Sequence, residues 1–222
     1  EVLAPPGTTA IVAFGDSITD GMGSTLNANR RWPNYLARRL AERTGRSPVA
    51  VLDQGISGNR ILHDVAGQNA LARFDRDVLA WPRVSHLIVL EGINDIGFPE
   101  LKGVPLGEGV DVSPVTAEAI IAGHKQLIAR AHTSGIKVIG ATLTPFGGAM
   151  YASAGGEAKR QAVNAWIRNG GAYDGVIDFD LATRDPKDPG KMRADLHSGD
   201  WLHPNDAGYA AMAAAVDLSL FD

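Results

Sequence analysis

Five short apolar segments alternate with longer segments of helical periodicity along the chain, and this alternation restricts the fold more than any other feature. The apolar segments are nearly continuous, which is typical of strands buried on both faces of a parallel sheet. The predicted strands lie near Ala10–Phe14, Val49–Asp53, His86–Glu91, Lys137–Ala141 and Val176–Phe179. We therefore predict a single-domain α/β fold, a three-layer α/β/α sandwich around a five-stranded parallel sheet in the flavodoxin-like order 2-1-3-4-5.

The segments between the strands carry apolar residues at helical spacing. One predicted helix begins near Trp32 and stops at Gly45, and the others are Ala70–Trp81, Thr116–Thr133, Glu157–Arg168 and Asp206–Leu220. Three irregular stretches follow predicted strands, namely Gly97–Pro114, Thr144–Gly156 and Asp180–Pro204. Long loops inside a compact domain are usually functional or mobile, and these three are expected at the carboxyl edge of the sheet.

Composition restricts the partners of the protein. The 222 residues are 45% hydrophobic and 21% charged with a net charge of −4, and we expect one domain over residues 1–222. Lys and Arg are scattered, which argues against nucleic acid or an anionic membrane as the main partner. No segment approaches the roughly 20 apolar residues of a membrane span, so no integral membrane association is expected. The absence of cysteine excludes disulfides, zinc-thiolate sites and a cysteine nucleophile.

The start of the chain gives a weak indication of location. Residues 1–6 have neither the basic start nor the apolar core of a signal peptide. A first residue of Glu instead of Met suggests a processed chain, which favours a secreted or periplasmic protein over a cytoplasmic one. The sequence does not indicate an oligomeric state.

Ser17 follows the first predicted strand, at the edge where doubly wound sheets bind ligands. A loop Ser is usually a turn or capping residue, so Ser17 becomes a nucleophile candidate only if other segments supply a base and oxyanion donors. His203 is the candidate base, because Asp200 lies three residues upstream and can bind one ring nitrogen while the other faces Ser17. The remaining histidines are expected at the surface or in packing roles: His63, His86, His124, His132 and His197.

Gly58 and Asn94 follow the second and third predicted strands. Alone, Gly58 indicates a turn with positive φ, although its N–H could also approach a ligand closely. Alone, Asn94 indicates a turn or a cap, although its amide could also donate to a developing oxyanion, a role worth roughly 3–4 kcal/mol. What favours a catalytic site is that four weak signals fall at the ends of three strands and before the last helix.

These segments resemble the sequence blocks of GDSL esterases of the SGNH hydrolase superfamily over essentially the whole chain. The matching residues are Gly15-Asp16-Ser17, Gly58, Gly92-Ile93-Asn94-Asp95 and Asp200-Trp201-Leu202-His203. The resemblance implies that Ser17 is the nucleophile, that His203 is general base and then acid, and that Asp200 orients His203. It also implies an oxyanion hole made by the Ser17 and Gly58 N–H groups and the Asn94 amide. The implied activity is that of a serine esterase working through an acyl-enzyme without a metal or organic cofactor.

The substrate is less defined than the chemistry. Members of this family act on acetylated carbohydrates, short-chain aryl and alkyl esters, lipids and thioesters. No apolar lid segment is evident, which favours short acyl groups, including acetyl groups on a sugar, as a small-molecule or carbohydrate ester. The alternatives are an acyl thioesterase or a lysophospholipase-type lipase of the same superfamily, and a non-catalytic glycan-binding relative, which usually lacks one of the blocks. Some relatives carry a β-rich domain before the hydrolase; with the first predicted strand starting at Ala10, none is expected here.

Other motifs and polar residues are weighed separately. The chain lacks both the Gly-x-Ser-x-Gly elbow and a Gly-x-x-x-x-Gly-Lys phosphate loop, which argues against an α/β-hydrolase elbow and a nucleotide enzyme. Asp16, Asp20 and Asp95 are predicted to accept backbone N–H bonds as loop scaffolding rather than to take part in catalysis. Asn59 and Trp201 are candidate substrate contacts, since they adjoin Gly58 and Asp200.

Overall fold

Five parallel strands form one sheet in the order β2-β1-β3-β4-β5 in a computed structural model that describes residues 4–101 and 111–222. The strands are β1 (Thr9–Gly15), β2 (Val49–Gly55), β3 (Val84–Leu90), β4 (Lys137–Ala141) and β5 (Gly175–Ile177). Helices lie on both sides of the sheet, so the predicted fold class and strand order are confirmed.

The helices are α1 (Ser17–Asp20), α2 (Trp32–Ala41), α3 (Ala70–Phe74), α4 (Ile93–Gly97), α5 (Ala117–Thr133), α6 (Ala154–Asn169), α7 (Phe179–Thr183) and α8 (Asp206–Ala214). Helices α2, α7 and α8 pack together as one group, and α3, α5 and α6 as another. Among the helices of residues 4–101 and 111–222, none has both the length and the apolar character of a bilayer span.

Strand β1, which lies between β2 and β3, contributes four residues to the core between these layers. Its residues Ile11, Val12, Ala13 and Phe14 are completely buried, which is why this strand reads as an unbroken apolar run. Phe14 packs edge-to-face on Phe74 of α3, with ring centroids 5.8 Å apart. The sequence places Ser17 directly after this rigid strand.

Several element ends differ from the prediction because side chains cap them. Ser153 accepts the Gly156 N–H and starts α6 at Ala154, three residues before the expected Glu157. Strand β5 ends at Ile177 rather than Phe179, since Asp178 caps α7 by accepting the Leu181 N–H.

Two predicted helices are also shorter than expected. Helix α3 gives way to a π-helical turn over Asp75–Leu79, in which the Ala80 N–H bonds the Asp75 carbonyl. Helix α8 ends at Ala214, and Leu218–Phe221 forms a separate 3₁₀ turn instead of continuing to Leu220.

Two of the three loops predicted at the carboxyl edge of the sheet, Thr144–Gly156 and Asp180–Pro204, lie entirely within the described residues. The predicted loop Gly97–Pro114 begins with a 3₁₀ turn at Phe98–Glu100, and residues 102–110 lie outside the described part of the chain. The loop predicted over Asp180–Pro204 starts inside α7 and runs on to the segment before α8. Both strand β1 and strand β2 end in Gly at this edge, where a Cβ at Gly15 or Gly55 would collide with α1.

Candidate active site

The structure brings Ser17, His203 and Asp200 into one hydrogen-bonded chain. Ser17 Oγ lies 2.9 Å from His203 Nε2, and His203 Nδ1 lies 2.5 Å from Asp200 Oδ2. Ser17 and His203 are nearly buried, whereas the Asp200 side chain is about half exposed. The spacing of a nucleophile, a base and an orienting carboxylate is that of a serine-histidine-acid triad.

The short segment before α8 fixes the Asp200 carboxylate. Asp200 Oδ1 accepts the backbone N–H groups of Leu202 and His203 at 3.0 and 2.9 Å. Partial burial would raise the pKa of Asp200, but these bonds and the His203 ring together lower that pKa to about 2. The carboxylate therefore stays ionised and able to hold the Nδ1 proton at neutral pH.

Ser17 owes its position to a sharp turn between β1 and α1. Asp16 caps α1 by accepting the Ile18 N–H at 2.9 Å, and Gly21 ends the helix in the left-handed region with φ +92°. The Met22 and Gly21 N–H groups both bond the Ser17 carbonyl at 2.9 Å. Ser17 thus begins a single helical turn that is held at both ends.

The candidate oxyanion donors belong to residues that share a cavity with the Ser17 side chain. Gly58 turns the chain after β2 with φ +81°, and both Gly58 and Asn94 line the same cavity as Ser17. Within the described residues, the Ser17 and Gly58 backbone N–H groups bond no protein acceptor. Asn94 Nδ2 donates to the Asn59 carbonyl at 2.9 Å, which leaves its second amide hydrogen available.

Tyr151 contacts this group but was not predicted from the sequence. Its hydroxyl donates to Asn94 Oδ1 over a long 3.3 Å, and its ring lies so close to Gly97 that a Cβ there would collide with it. Burial raises the pKa of Tyr151 well above its ordinary value, so the hydroxyl stays a donor. No motif marks Tyr151, because it belongs to the Gly-rich turn after β4 and meets Asn94 only in the folded chain.

Asn59 does not offer its side chain to a substrate, and the predicted contact is corrected here. Its side chain is fully buried, and Nδ2 donates to the Ala66 and Gln68 carbonyls at 3.1 and 2.8 Å. Its Oδ1 accepts from Arg73 Nε at 2.9 Å. All the polar atoms of the side chain are therefore used within the protein.

The scaffolding role predicted for the nearby aspartates holds for two of three. Asp95 accepts the Ile61 and Leu62 N–H groups at 2.7 and 3.2 Å, and Asp16 accepts Ile18 as described above. Asp20 differs, because its Oδ2 accepts the Ser57 hydroxyl at 2.7 Å instead of a backbone N–H.

Two buried carboxyl groups lie behind the nucleophile. Asp16 Oδ2 and both Glu91 carboxyl oxygens have no hydrogen-bond partner in the part of the chain that the structure describes. Burial raises the pKa of Asp16 to about 7. Burial and then the Asp16 charge raise the pKa of Glu91 well above its ordinary value. Neither carboxyl group lines the cavity that contains Ser17, Gly58 and Asn94.

The cavity in front of Ser17 has a volume of about 620 Å³, within the roughly 300–1,000 Å³ usual for small-molecule sites. Most of its lining is apolar, and Phe98, Leu101, Met150 and Leu202 belong to this apolar wall. The other groups that line it include Asn94, Tyr151 and Trp201. We call this space the catalytic cavity.

Trp201 lines the catalytic cavity in a strained conformation. Its φ is +62°, which is unusual for a bulky residue, and its ring stacks on His197 with centroids 4.2 Å apart. His197 Nδ1 accepts the Gly199 N–H at 3.0 Å. His197 was predicted only as a surface or packing residue, and it shapes the turn that carries Asp200.

No group of three or more His, Asp or Glu side chains in residues 4–101 and 111–222 is placed to hold a metal ion. The site described here consists of Ser17, His203 and Asp200, the donors at Gly58 and Asn94, and the catalytic cavity.

A five-stranded doubly wound sheet with a serine after its first strand and a histidine before its last helix defines an SGNH hydrolase. The sequence agrees, since the profile of the GDSL-like lipase/acylhydrolase family matches residues 13–211. The chain belongs to this family, which places it among the carboxylic ester hydrolases. No curated protein sequence matches the chain.

Solved structures share the fold at low sequence identity. An aryl esterase from M. smegmatis is 17% identical with a TM-score of 0.68, covering 93% of this chain and 95% of that chain. A carbohydrate acetylesterase from Sinorhizobium meliloti is 17% identical with a TM-score of 0.65 and the same coverage. A protein of the G-D-S-L family from Desulfitobacterium hafniense DCB-2 is 22% identical with a TM-score of 0.66, covering 93% and 97%. These likenesses concern the fold.

Proposed function

We propose that the protein is a serine esterase that hydrolyses short-chain carboxylic esters, including acetyl esters of carbohydrates, through an acyl-enzyme on Ser17. The single observation that carries this proposal is the continuous chain from Ser17 Oγ to His203 and Asp200, with distances of 2.9 and 2.5 Å. These three residues line a cavity that is large enough for a small ester.

In the first step, Ser17 Oγ attacks the ester carbonyl carbon while His203 Nε2 takes the hydroxyl proton. Asp200 holds Nδ1 and stabilises the imidazolium that forms. The negative charge on the carbonyl oxygen is stabilised by the Ser17 and Gly58 N–H groups and by the free amide hydrogen of Asn94. The C–O bond to the alcohol then breaks, and His203 gives its proton to the departing oxygen.

In the second step, water replaces the alcohol beside His203. His203 removes a proton from this water as its oxygen attacks the acyl carbon, and the same donors stabilise the second oxyanion. Collapse of the intermediate releases the carboxylic acid, and the proton returns to Ser17 Oγ. No additional reactant is required.

The apolar wall supports an uncharged acyl group, because a buried carboxylate would find few donors on Phe98, Leu101 and Met150. The cavity volume exceeds what an acetyl group alone would fill, so chain-length preference separates the short-chain proposal from a lipase. A thioester substrate uses the same acyl contacts and differs only in the leaving group. A glycan-binding protein without activity is disfavoured by the intact Ser17–His203 contact.

The test is hydrolysis of p-nitrophenyl esters of increasing acyl length, with Ser17→Ala as the matched control. We expect turnover with acetyl and butyryl esters, a decline with long chains, and loss of turnover in Ser17→Ala with an unchanged circular dichroism spectrum. Preference for long chains supports the lipase alternative, and faster cleavage of a matched thioester supports the thioesterase. Equal turnover in the variant, or none in either protein, would falsify the catalytic proposal.

A further inference from the structure

A second cavity adjoins the catalytic cavity on the side of the loop after Ser17. It has a volume of about 360 Å³ and is formed by Asp20 and residues 21–27 and 29–31 together with Ser57. Met22 and Ser57 line both cavities, so the two spaces lie side by side with these residues between them. We call the second space the polar cavity.

The two cavities differ in chemistry. The lining of the catalytic cavity is mostly apolar, whereas the polar cavity presents hydroxyl, amide and charged groups beside Met22 and Leu26. The side-chain amides of Asn27 and Asn29 make no hydrogen bond within the described residues, although both belong to this lining. Both residues lie in the left-handed region, with φ values of +58° and +52°.

Both arginines that line the polar cavity are paired with carboxylates. Arg31 lies 3.5 Å from a carboxylate oxygen of Asp20 and also of Asp53, and Arg30 lies 2.8 Å from Asp206. A site for phosphate or carboxylate would leave its cations free for the ligand. A balanced set of donors and acceptors instead suits a neutral group with several hydroxyls, since each hydroxyl both donates and accepts.

We propose that the polar cavity binds the alcohol part of the ester and that this part is a neutral, hydroxyl-rich group such as a sugar or polyol. The acyl part then lies against the apolar wall of the catalytic cavity, with the ester carbonyl at Ser17 between them. This inference rests on the proposed esterase function; it narrows the alcohol to a neutral polyol and assigns the residues that bind it.

The test compares p-nitrophenyl acetate with a mono-acetylated methyl glucoside, which share the acyl group and differ in the alcohol. The variant is the double substitution Asn27→Gly and Asn29→Gly, because Gly adopts the left-handed conformation without strain and removes both amides. Arg83→Gly is the matched control, since Arg83 also has positive φ, +58°, but precedes β3 at the opposite edge of the sheet.

We expect the double variant to lose about 10-fold in kcat/KM on the glucoside while p-nitrophenyl acetate changes less than about twofold. Arg83→Gly leaves the ratio of the two substrates unchanged. Equal losses on both substrates, no loss on either, or no wild-type cleavage of the glucoside overturn the inference. Cleavage of an acetyl ester of an anionic alcohol faster than that of the glucoside overturns the assignment of a neutral alcohol. Failure of the esterase proposal is separate, because then p-nitrophenyl acetate is not cleaved in a Ser17-dependent way.

A different observation concerns Arg73, whose guanidinium is completely buried beneath the site. Its Nη2 donates to the Gly15 carbonyl and its Nη1 to the Gln54 carbonyl, both at 2.9 Å, and its Nε donates to Asn59 Oδ1 at 2.9 Å. Asp77 supplies the counter-charge at 3.1 Å. A buried cation is unfavourable unless its hydrogens are satisfied, and here at least four donor contacts are made.

These acceptors belong to the segments that carry the proposed oxyanion donors. Gly15 ends β1 two residues before Ser17, and Gln54 lies in β2 four residues before Gly58. The bond to Asn59 reaches the third segment indirectly, because the Asn59 carbonyl accepts from Asn94 Nδ2 at 2.9 Å. One planar group therefore bonds the ends of β1 and β2 directly, and it is linked to the end of β3 through Asn59.

We infer that Arg73 is a positioning residue for the oxyanion hole, acting through Gly15, Gln54 and Asn59 without touching the substrate. Displacing it shifts the donors relative to one another and weakens transition-state contacts more than ground-state binding.

Arg73→Lys tests this role, because an ammonium keeps the charge but cannot reach all of these acceptors. Arg160→Lys is the matched control: Arg160 is equally buried and bonds the Leu143 carbonyl and Asp180, but none of the three segments. We expect Arg73→Lys to lower kcat by about 10- to 100-fold with little change in KM, and Arg160→Lys to change kcat by less than about threefold at a similar loss of Tm.

Equal effects of the two variants on kcat, or a loss in Arg73→Lys confined to KM, would overturn the role. Should Arg73→Lys fail to fold, Asn59→Ala provides the second measurement, since it removes one of the three links and leaves Arg73 bonded to both strands. A fall in kcat without a rise in KM supports the positioning role, and an unchanged kcat refutes it.

Discussion

At the scale of single residues, the site depends on how the Asn94 amide is turned. The Asn59 carbonyl accepts from Nδ2 at 2.9 Å, and the Tyr151 hydroxyl donates to Oδ1 at 3.3 Å. Both contacts favour the same orientation, in which the remaining amide hydrogen is free for the oxyanion. In the proposed mechanism, Tyr151 would therefore act on catalysis through Asn94.

We expect Asn94→Ala to lower kcat by roughly 10²–10³-fold with little change in KM, because it removes a donor used mainly in the transition state. Tyr151→Phe keeps the ring and removes only the hydroxyl, so its loss in kcat is smaller. Steady-state kinetics of the two single variants and the double variant check this. The double variant is expected to resemble Asn94→Ala; additive losses would show that Tyr151 acts independently of Asn94.

The buried carboxyl group of Asp16 predicts a pH dependence of stability. Its pKa in the folded protein is raised to about 7 from 3.8, so the folded state holds a proton that the unfolded state releases between these values. Stability therefore falls as pH rises from about 4 to about 7. The variant Asp16→Asn can still cap Ile18 and does not titrate.

The measurement is the free energy of unfolding by urea at several pH values between 4 and 8. The stability of wild type relative to Asp16→Asn is expected to decline across this range. Glu91→Gln serves as a companion, because burial and then the Asp16 charge raise the pKa of Glu91 as well, so this variant should flatten another part of the same slope. Parallel pH profiles for wild type and Asp16→Asn would contradict the buried-carboxyl interpretation.

At the scale of elements, the turn after β2 shows how backbone conformation places a donor. Gly58 has φ +81°, and a Cβ there would lie 2.9 Å from the Cβ of Ala66. Gly45 after α2 also lies in the left-handed region, with φ +70°, but a Cβ there would meet no atom within 4 Å. The two glycines share the conformation and differ in their surroundings.

Gly58→Ala and Gly45→Ala therefore separate backbone strain from displacement of the donor. Each is expected to lose about 1 kcal/mol of stability from the left-handed conformation, and Gly58→Ala more because of the contact with Ala66. Only Gly58→Ala should lower kcat, since Gly58 lines the catalytic cavity and Gly45 does not. Thermal unfolding and kinetics of both variants test this, and equal kcat values would argue against Gly58 as a donor.

Element ends were where the sequence predicted least. The sequence predicts β1 and β3 because burial makes most of each strand a continuous apolar run, as in Ile11–Phe14 and Leu87–Leu90. The end of α8 was missed because it depends on Arg39, which reaches across from α2 to bind the carbonyls of Ala213 and Val216. Such a cap joins residues that are far apart in the sequence, so no local sequence pattern predicts it.

At the scale of the whole molecule, strand order and the gathering of Ser17, His203 and Asp200 followed from patterns already visible in the sequence. Tyr151 and Arg73 did not, because their roles arise from tertiary contacts. Arg73 lies within the predicted helix beside the apolar Phe74, where an arginine usually extends into solvent. The residues that perform the proposed chemistry belong to recognisable sequence motifs. The residues that hold those motifs together, such as Tyr151 and Arg73, do not.

The same division predicts that stability and activity can be changed separately. Arg39 donates to the carbonyls of Ala213 and Val216, the latter at 2.9 Å. These carbonyls lie at the carboxyl end of α8, whereas His203 precedes its amino end. Arg39→Met keeps the apolar stem and removes these bonds, so we expect a loss of about 1–3 kcal/mol in the free energy of unfolding. Because the triad lies at the other end of the helix, kcat/KM should stay within about twofold at temperatures where the variant is folded.

Urea unfolding and ester hydrolysis, measured on the same sample, check the expected loss of stability and the expected retention of activity. A large loss of kcat/KM in a folded Arg39→Met protein would show that the end of α8 and the catalytic edge of the sheet are coupled.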